Sequence, residues 1–246
     1  MSFAGKKILV TGAGKGIGKG CCIDLAKQGA EVFALSRTQK DLDDLKNELP
    51  NIHCINVDLL DVSATRDALE KLPDDITMVI NNAGYSKVGH FLDVSEEDFD
   101  MIWKINVKSM FIVSQIMAKK MIQNGKGGSF VNVSSQASKV ALPEHTAYCT
   151  SKGGVDQLTR MMALELGAQQ IRTNALNPTV VLTKMGKMVW DNPNGIPMKN
   201  GIPQGKFAEV EDVVNAILYL LSDKSDMING TTLPIDGGFL ACRTMK

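Results

Sequence analysis

The sequence predicts one α/β domain over residues 1–246: a doubly wound parallel sheet of about seven strands with helices on both faces. Three observations predict it. Short apolar runs alternate with longer segments of helical periodicity, which is typical of βαβ units. A glycine-rich turn joins the first apolar run to the first helical segment, as in Rossmann-type folds. The chain of 246 residues can bury a large core, and no repeat or low-complexity linker divides it.

The apolar runs are the predicted strands. In chain order they cover residues 7–12, 31–36, 53–58, 77–82, 129–135, 172–178 and 231–237. Helical connections between parallel strands cross over in the right-handed sense and cover both faces of the sheet. One such helix follows Tyr148, where Leu158, Met161 and Leu164 line one side.

Residues 184–208 interrupt the alternation of strands and helices. This segment is rich in glycine, proline, asparagine and methionine, and it carries Trp190. Long excursions of this composition are typical of mobile lids over pockets. We therefore expect a substrate loop here and not a second domain.

The charge balance excludes several classes of partner. The 27 basic and 27 acidic residues cancel, so no electrostatic attraction to nucleic acid or anionic membranes is expected. No apolar run approaches the roughly 20 residues that span a bilayer. The first residues, "MSFAGKKILVTG", lack the apolar core of a signal peptide, so we expect a cytoplasmic protein.

The cysteines and histidines do not predict a metal site. The five cysteines include no C-x-x-C pair, and the three histidines have no ligand spacing with them. We expect free thiols in a reducing compartment. The residues concerned are Cys21, Cys22, Cys54, Cys149, Cys242, His53, His90 and His145.

The glycine turn "VTGAGKGIGKG" can hold a phosphate at a helix N-terminus. A P-loop is excluded, because position 13 is alanine where that motif needs glycine. The common G-x-G-x-x-G pattern also fails, because position 17 is isoleucine. The pattern that fits is T-G-x-x-x-G-x-G, with Thr11, Gly12, Gly16 and Gly18.

The end of the second strand predicts which nucleotide binds. An NAD site places an acid there for the ribose 2′-hydroxyl. This chain has Ser36, Arg37 and Thr38 instead, and Lys15 lies within the glycine turn. A guanidinium binds a 2′-phosphate bidentately, so NADP(H) is favoured. The alternative is that Arg37 is only a solvated residue at a helix start.

Tyr148 and Lys152 are four residues apart, a spacing that puts both on one face of a helix. On a surface such a pair means little. Beside a redox cofactor, the ammonium could lower the pKa of the phenol from about 10 toward the working pH. Burial would oppose this, because desolvation raises the pKa of a phenol.

These residues together resemble the short-chain dehydrogenases/reductases over essentially the whole chain. The glycine turn, Asp58 after the third strand, "NNAG" at 81–84 and "NPTVVLT" at 177–183 match the family's motifs in order. Thr179 departs from the usual glycine after Pro178. With the reasoning above, the resemblance implies that NADP(H) binds to Gly12, Lys15, Gly16, Ile17, Gly18, Ser36, Arg37, Thr38, Asp58, Leu59, Asn82, Ala83, Gly84, Tyr148, Lys152, Pro178, Val181 and Thr183.

The resemblance also implies catalytic roles. Tyr148 would donate a proton while NADPH delivers hydride, and Ser135 would orient the carbonyl oxygen. Lys152 would bind the nicotinamide ribose, and Asn106 would hold a water that links Lys152 to solvent.

The resemblance also implies a homotetramer, with the Tyr148 helix and the C-terminal segment at its interfaces. In that segment, Phe239 and Leu240 are expected to be exposed.

Within the family, the chain is most similar to the dicarbonyl and L-xylulose reductases. "SRTQKDL", "VNVSSQAS", "NPTVV", "GKFAEVEDVVNAI" and "GGFLAC" carry this similarity. It implies NADPH-dependent reduction of α-dicarbonyls and of L-xylulose to xylitol. A reductase of bulkier steroid or 3-oxoacyl ketones, and a catalytically silent cofactor-binding scaffold, stay open. Candidate substrate contacts are Ser135, Gln136, His145, Tyr148 and Trp190, although Gln136 and His145 could equally be surface loop residues.

Overall fold

The seven predicted strands form one parallel sheet. The computed structural model describes residues 2–241, except the side chain of Asn194. The order across the sheet is β3-β2-β1-β4-β5-β6-β7, and each strand lies within two residues of its predicted bounds. The strands are β1 (Lys7–Thr11), β2 (Glu31–Ser36), β3 (His53–Asn56), β4 (Met78–Asn81), β5 (Gly128–Val133), β6 (Ile171–Pro178) and β7 (Thr232–Ile235).

Helices cover both faces of this sheet, as predicted. They are α1 (Gly16–Lys27), α2 (Gln39–Glu48), α3 (Val62–Glu70), α4 (Glu96–Trp103), α5 (Ser109–Asn124), α6 (Thr146–Leu166), α7 (Lys184–Trp190), α8 (Ile196–Asn200) and α9 (Val210–Leu221). One apolar core joins the sheet to α1, α2 and α9. A second core on the other face joins it to α3, α5 and α6.

The order of the sheet reverses between β1 and β4. The chain moves outward from β1 to β3, then returns to the other side of β1 at β4. A crevice therefore opens at the carboxyl ends of these strands, because their connections leave in opposite directions. The glycine turn after β1 lies at this edge.

The excursion at 184–208 contains α7 and α8, which the sequence did not predict. Thr183 caps α7, accepting a hydrogen bond from the backbone N–H of Gly186 at 3.0 Å. The two ends of the excursion are held together by a bridge between Val181 and Ala208. The segment is therefore a folded flap with a fixed base.

Two sequence expectations about apolar surfaces need correction or refinement. Phe239 and Leu240 are partly buried in a short 3₁₀ turn, not exposed, and the Phe239 ring packs over Gly201. Of the three residues expected on one side of α6, Leu158 packs against the second core, whereas Met161 and Leu164 face outward and are 40% and 76% exposed. Cys242 lies outside the described residues.

Candidate active site

A cleft of about 290 Å³ lies at the carboxyl ends of β1 to β4. The cleft is lined by half of the predicted cofactor residues: Gly12, Lys15, Ser36, Arg37, Thr38, Asp58, Leu59, Ala83 and Gly84. Met185 from the flap and Tyr85 also line it. These residues are far apart in sequence. They meet at the cleft because the parallel strands that precede them all end at the same edge of the sheet.

The glycine turn fits an anionic group at its helix. Gly12 has φ +63°, and a Cβ there would lie 2.9 Å from Asn82 Nδ2. A Cβ on Gly18 would lie only 2.3 Å from the Gly12 carbonyl oxygen, so α1 can approach the turn this closely only with glycine. No side chain caps the N-terminus of α1. The first-turn N–H groups of α1 therefore have no side-chain partner there and can hold a phosphate.

Asn82 ties β4 to the glycine turn and does not line the cleft. Its side-chain nitrogen donates to the carbonyl oxygens of Thr11 and Gly12, each at 3.1 Å. In return, the Thr11 hydroxyl oxygen accepts the backbone N–H groups of Asn82 and Ala83, at 3.0 and 3.1 Å. This exchange fixes the width of the cleft between β1 and β4.

Several predicted cofactor residues build the walls behind the cleft. Ile17 and Val181 pack against the core of α1 and α9. Gly16 faces the flap, since a Cβ on it would lie 3.0 Å from the Thr183 methyl. Pro178 ends β6. These residues lie beside the site, but their side chains are not among those that line the cleft.

Asp41 is a cleft residue that the sequence analysis missed. It lies in the first turn of α2, and its carboxylate is 3.1 Å from the ammonium of Lys15. An acid therefore does stand near the end of β2, although Ser36, Arg37 and Thr38 include none. Within residues 2–241, Arg37 is exposed and forms no ion pair. The feature that could have indicated Asp41 is its position in the first turn of α2, because this turn of the helix faces the glycine turn.

Tyr148 and Lys152 meet Ser135 at the end of β5. The Lys152 ammonium is buried, donates to the Val133 carbonyl oxygen at 2.8 Å, and lies 5.6 Å from the centre of the Tyr148 ring. Ser135 is near enough to hydrogen-bond the phenol. The Ser135 hydroxyl oxygen accepts the backbone N–H of Ala137 at 3.1 Å.

Burial decides the pKa values of both α6 residues. It raises the pKa of Tyr148 above its ordinary value of 10, and the hydrogen bond with Ser135 only partly opposes this. The net shift is therefore upward, against the expectation that Lys152 brings the pKa of Tyr148 down, because burial outweighs the attraction of the ammonium. Burial also lowers the pKa of Lys152 to about 8, with the nearby Asp156 carboxylate acting in the opposite direction.

Asn106 lies in a π-helical segment, Lys104–Lys108, between α4 and α5. Its side-chain nitrogen donates to the Tyr85 carbonyl oxygen and to the Ser151 hydroxyl, each at 2.9 Å. Its Oδ1 accepts the backbone N–H of Tyr85 at 2.8 Å. The side chain thus joins the segment after β4 to α6. Only one Oδ1 lone pair is left for the predicted water.

The predicted substrate residues differ in their surroundings. Gln136 is 2% exposed, and its Oε1 has no hydrogen-bond partner within residues 2–241. The His145 ring lies edge-on to Tyr148 at 6.2 Å, and its Nδ1 is 2.6 Å from the Pro143 carbonyl oxygen. These two residues flank the catalytic candidates. Trp190 ends α7, partly buried, and does not line the cofactor cleft.

The burial of Lys152 gives a prediction for stability. Its pKa is about 8 in the folded protein against an ordinary 10.5, so the unfolded chain holds the proton more tightly. The resulting cost to stability is fully present below pH 8 and is lost as the pH rises from about 8 to 10.5. It amounts to roughly 3 kcal/mol.

We therefore expect Lys152→Met to raise Tm at pH 7 by a few degrees, with a smaller gain at pH 10, by calorimetry. Lys120→Met is the matched control, because that buried lysine has a carboxylate partner, Asp74, at 2.9 Å. It should lower Tm at both pH values. A fall in Tm for Lys152→Met at pH 7, or an equal gain at both pH values, would contradict the account.

Two other kinds of site are absent from the described residues. None of the helices within residues 2–241 is long and apolar enough to cross a bilayer. In the same part of the chain, no three or more His, Cys, Asp or Glu side chains are grouped so that they could hold a metal ion.

Comparison with known proteins places this geometry among oxidoreductases. The family model described as Enoyl-(Acyl carrier protein) reductase matches residues 12–240. An L-xylulose reductase of Mesocricetus auratus is 51% identical over 98% of both chains. A D-erythrulose reductase of Gallus gallus is 48% identical, again over 98% of both.

A solved structure agrees with the fold and carries a cofactor. It is that of a putative 2-deoxy-D-gluconate 3-dehydrogenase from Agrobacterium tumefaciens with bound NADP. The TM-score is 0.90, with 30% sequence identity, and the match covers 98% of both chains.

Proposed function

Because the chain belongs to the short-chain dehydrogenase/reductase family, we propose that it reduces L-xylulose to xylitol, and α-dicarbonyls, with NADPH. The observation that carries this proposal is the meeting of Tyr148, Lys152 and Ser135 beside the cleft. The 51% identity to an L-xylulose reductase supports the substrate, and the 48% identity to a D-erythrulose reductase supports a small ketose.

NADPH is proposed over NADH on the charges at the end of β2. Arg37 is exposed and free of ion pairs within residues 2–241, so it can bind a 2′-phosphate without losing another partner. Lys15 adds a second cation, although Asp41 neutralises part of its charge. The nearby Ser36 side chain is neutral and offers no repulsion.

The raised pKa of Tyr148 suits the direction of reduction. Reduced nicotinamide, when bound, supplies a hydride to the carbonyl carbon. At neutral pH the phenol is protonated, so Tyr148 has a proton to give to the developing alkoxide. The Lys152 ammonium, 5.6 Å from the ring, then stabilises the phenolate that is left.

Ser135 and Asn106 have supporting roles in the same proposal. The Ser135 oxygen accepts from Ala137 N, so its single hydrogen is the one that can pass from the phenol to the substrate oxygen. Asn106 holds the backbone of Tyr85 and so fixes the wall of the cleft at Gly84. A Cβ on Gly84 would lie 3.7 Å from Lys152 Nζ, so Lys152 lies directly beside the cleft.

The proposed substrate contacts are polar near the phenol. Gln136 Oε1 is buried without a partner, and an unpaired buried acceptor favours a ligand that brings a hydroxyl donor. His145 donates from Nδ1 to Pro143, so Nε2 is left as an acceptor for a second hydroxyl. Trp190 and Met185 of the flap would cover the ligand.

One observation favours the alternative of a bulkier ketone. Apolar side chains are exposed on the segment after β4 and on the flap, among them Phe91 and Leu92 at 72% and 82% and Met188 at 75%. The backbone N–H of Gly89 donates to the Glu144 carbonyl oxygen at 2.9 Å, and this bond brings the segment after β4 beside His145. Such a rim could receive an apolar substrate.

A substrate panel tests the choice. NADPH oxidation should be followed with L-xylulose, diacetyl, a steroid ketone and an acetoacetyl thioester. We expect kcat/KM to be highest for L-xylulose and diacetyl. A tenfold preference for the steroid or the thioester would favour the bulkier-ketone reductase. No oxidation with any of the four would favour the catalytically silent scaffold.

We also infer that the chain assembles as a homotetramer, as its family usually does. In support, exposed apolar side chains lie on α5 and α6: Phe111 is 45% exposed, Met161 40% and Leu164 76%. With Trp103 and Leu158, Phe111 lines an apolar groove of about 360 Å³.

A cytoplasmic location is proposed from the free thiols of Cys21, Cys22, Cys54 and Cys149.

Assembly gives a prediction with a matched control. Leu164→Glu should reduce the tetramer to smaller species by light scattering at micromolar concentration, because it places a charge within the apolar face. Met227→Glu makes the same kind of change at a 94% exposed residue between α9 and β7, and it should leave assembly unchanged. A tetrameric Leu164→Glu protein, or a monomeric wild type, would contradict the inference.

A further inference from the structure

A buried carboxylate lies one turn beyond Lys152 on α6. Asp156 is 4% exposed and takes no part in the chemistry described above. Burying a carboxylate costs free energy unless hydrogen bonds compensate it, and an apolar residue of similar size is often no less stable. The side chains that hydrogen-bond Asp156 therefore decide what this carboxylate does.

The two side chains that hydrogen-bond Asp156 both lead to the segment that carries Ser135. The Ser138 hydroxyl is 2.7 Å from Asp156 Oδ2 and 2.8 Å from the Ser135 carbonyl oxygen. Asn177 Nδ2 lies 3.0 and 3.1 Å from the two carboxylate oxygens and 3.1 Å from the same Ser135 carbonyl oxygen. Asp156 thus reaches Ser135 through two separate side chains.

The hydrogen count shows why the charged form matters. Ser138 brings one hydrogen and the Asn177 amide two, and both also contact each other at 2.8 Å. These three hydrogens serve only acceptors: the carboxylate oxygens, the Ser135 carbonyl oxygen and the Ser138 oxygen. An asparagine at 156 would put an N–H₂ donor where one of the two carboxylate oxygens now accepts from Ser138 or Asn177.

Two cations face Asp156 from the elements packed around it. On α6 itself, Lys152 lies one turn earlier. From the segment after the Gln136–Ser138 turn, Lys139 Nζ is 3.7 Å from Oδ2 and also donates to Thr232 of β7 at 2.7 Å. β6 contributes only the neutral Asn177. The other titratable group that faces Lys152 is Tyr148.

We propose that Asp156 is a positioning residue for reduction, which holds the Ser135 segment against the helix of Tyr148 and Lys152 and keeps Lys152 protonated. This inference rests on the proposed function. The geometry supports both effects: the hydrogen bonds fix the Ser135 backbone to α6, and Asp156 and Lys152 are buried residues one helical turn apart on the same face of that helix.

Asp156→Asn and Ser138→Ala separate the two effects in the full-length protein. For the panel ketone with the highest wild-type turnover, Asp156→Asn should lower kcat about 10- to 100-fold, with NADPH affinity changed less than about threefold. The alkaline fall of kcat should move to lower pH. Ser138→Ala keeps the charge, so it should lower kcat without moving the pH profile. Asp74→Asn, at an exposed aspartate paired with Lys120, should change neither.

A second measurement does not depend on turnover. The ¹³Cε signal of Lys152, assigned by its loss in Lys152→Met, reports the charge of the ammonium. Its titration midpoint in Asp156→Asn should fall by about one pH unit from the wild-type value. Wild-type kcat and an unmoved midpoint in Asp156→Asn would overturn the inference. If Asp156→Asn fails to fold, a wild-type kcat in Ser138→Ala would overturn the inference instead. Absence of turnover in the wild type would instead count against the proposed function.

Discussion

Tyr148→Phe is expected to lower kcat for ketone reduction by about 10²- to 10⁴-fold while NADPH still binds normally. Only the transferable proton is removed, and the ring that lies beneath Lys152 stays in place. Calorimetric titration should give an NADPH affinity close to wild type, and stopped-flow absorbance should show that hydride transfer has slowed. The loss therefore belongs to the chemical step.

Tyr219→Phe is the control for this change. Tyr219 lies on α9 and is 38% exposed, so the same loss of a hydroxyl occurs far from the cleft. It should leave kcat and NADPH affinity unchanged. Turnover of Tyr148→Phe near the wild-type rate on a confirmed substrate would refute the assignment of the proton donor.

The second large effect concerns cofactor choice. Replacing Ser36 with Asp and Arg37 with Leu should reverse the preference for NADPH over NADH in kcat/KM. A bidentate guanidinium–phosphate interaction contributes about 1.5–3 kcal/mol, or roughly 10- to 150-fold in affinity. The new carboxylate would repel a 2′-phosphate and accept hydrogen bonds from a ribose 2′-hydroxyl.

Lys15 limits the size of this reversal. It stays in the variant, paired with Asp41 at 3.1 Å, and still attracts a phosphate. Lys40→Leu, a loss of one exposed charge just inside α2, is the control and should not alter the ratio. Equal use of NADH and NADPH by the wild-type protein would mean that the argument from the end of β2 is wrong.

The inner strands of the sheet could be predicted because they are buried on both faces. Such strands are continuous apolar runs, as in "KILVT" of β1 and "EVFALS" of β2. The helical segments around them do not contain runs of this kind. Tyr148 and Lys152 were found because they are one helical turn apart, whereas Ser135 and Asn106 were found by resemblance to the family. A local spacing of this kind survives in the sequence whatever the tertiary structure is.

What the sequence did not predict depends on distances between remote residues. The partners of Asp156 come from positions 138, 139 and 177, and no local pattern joins them. The pKa of Tyr148 depends on how far burial outweighs Lys152, which spacing alone does not give. Phe239 was expected to be exposed because its cover, the segment at Gly201, lies far away in the chain.

Transfer of a deuterium from labelled cofactor to xylitol tests the central claim most directly. The wild-type protein should be incubated with L-xylulose and NADPH deuterated on either face of C4, and the product examined by mass spectrometry. We expect xylitol that carries one deuterium from one of the two labelled cofactors, one molecule for each NADPH oxidised, and almost none with Tyr148→Phe. Oxidation of NADPH without labelled xylitol, or L-xylulose left unchanged, would contradict the account.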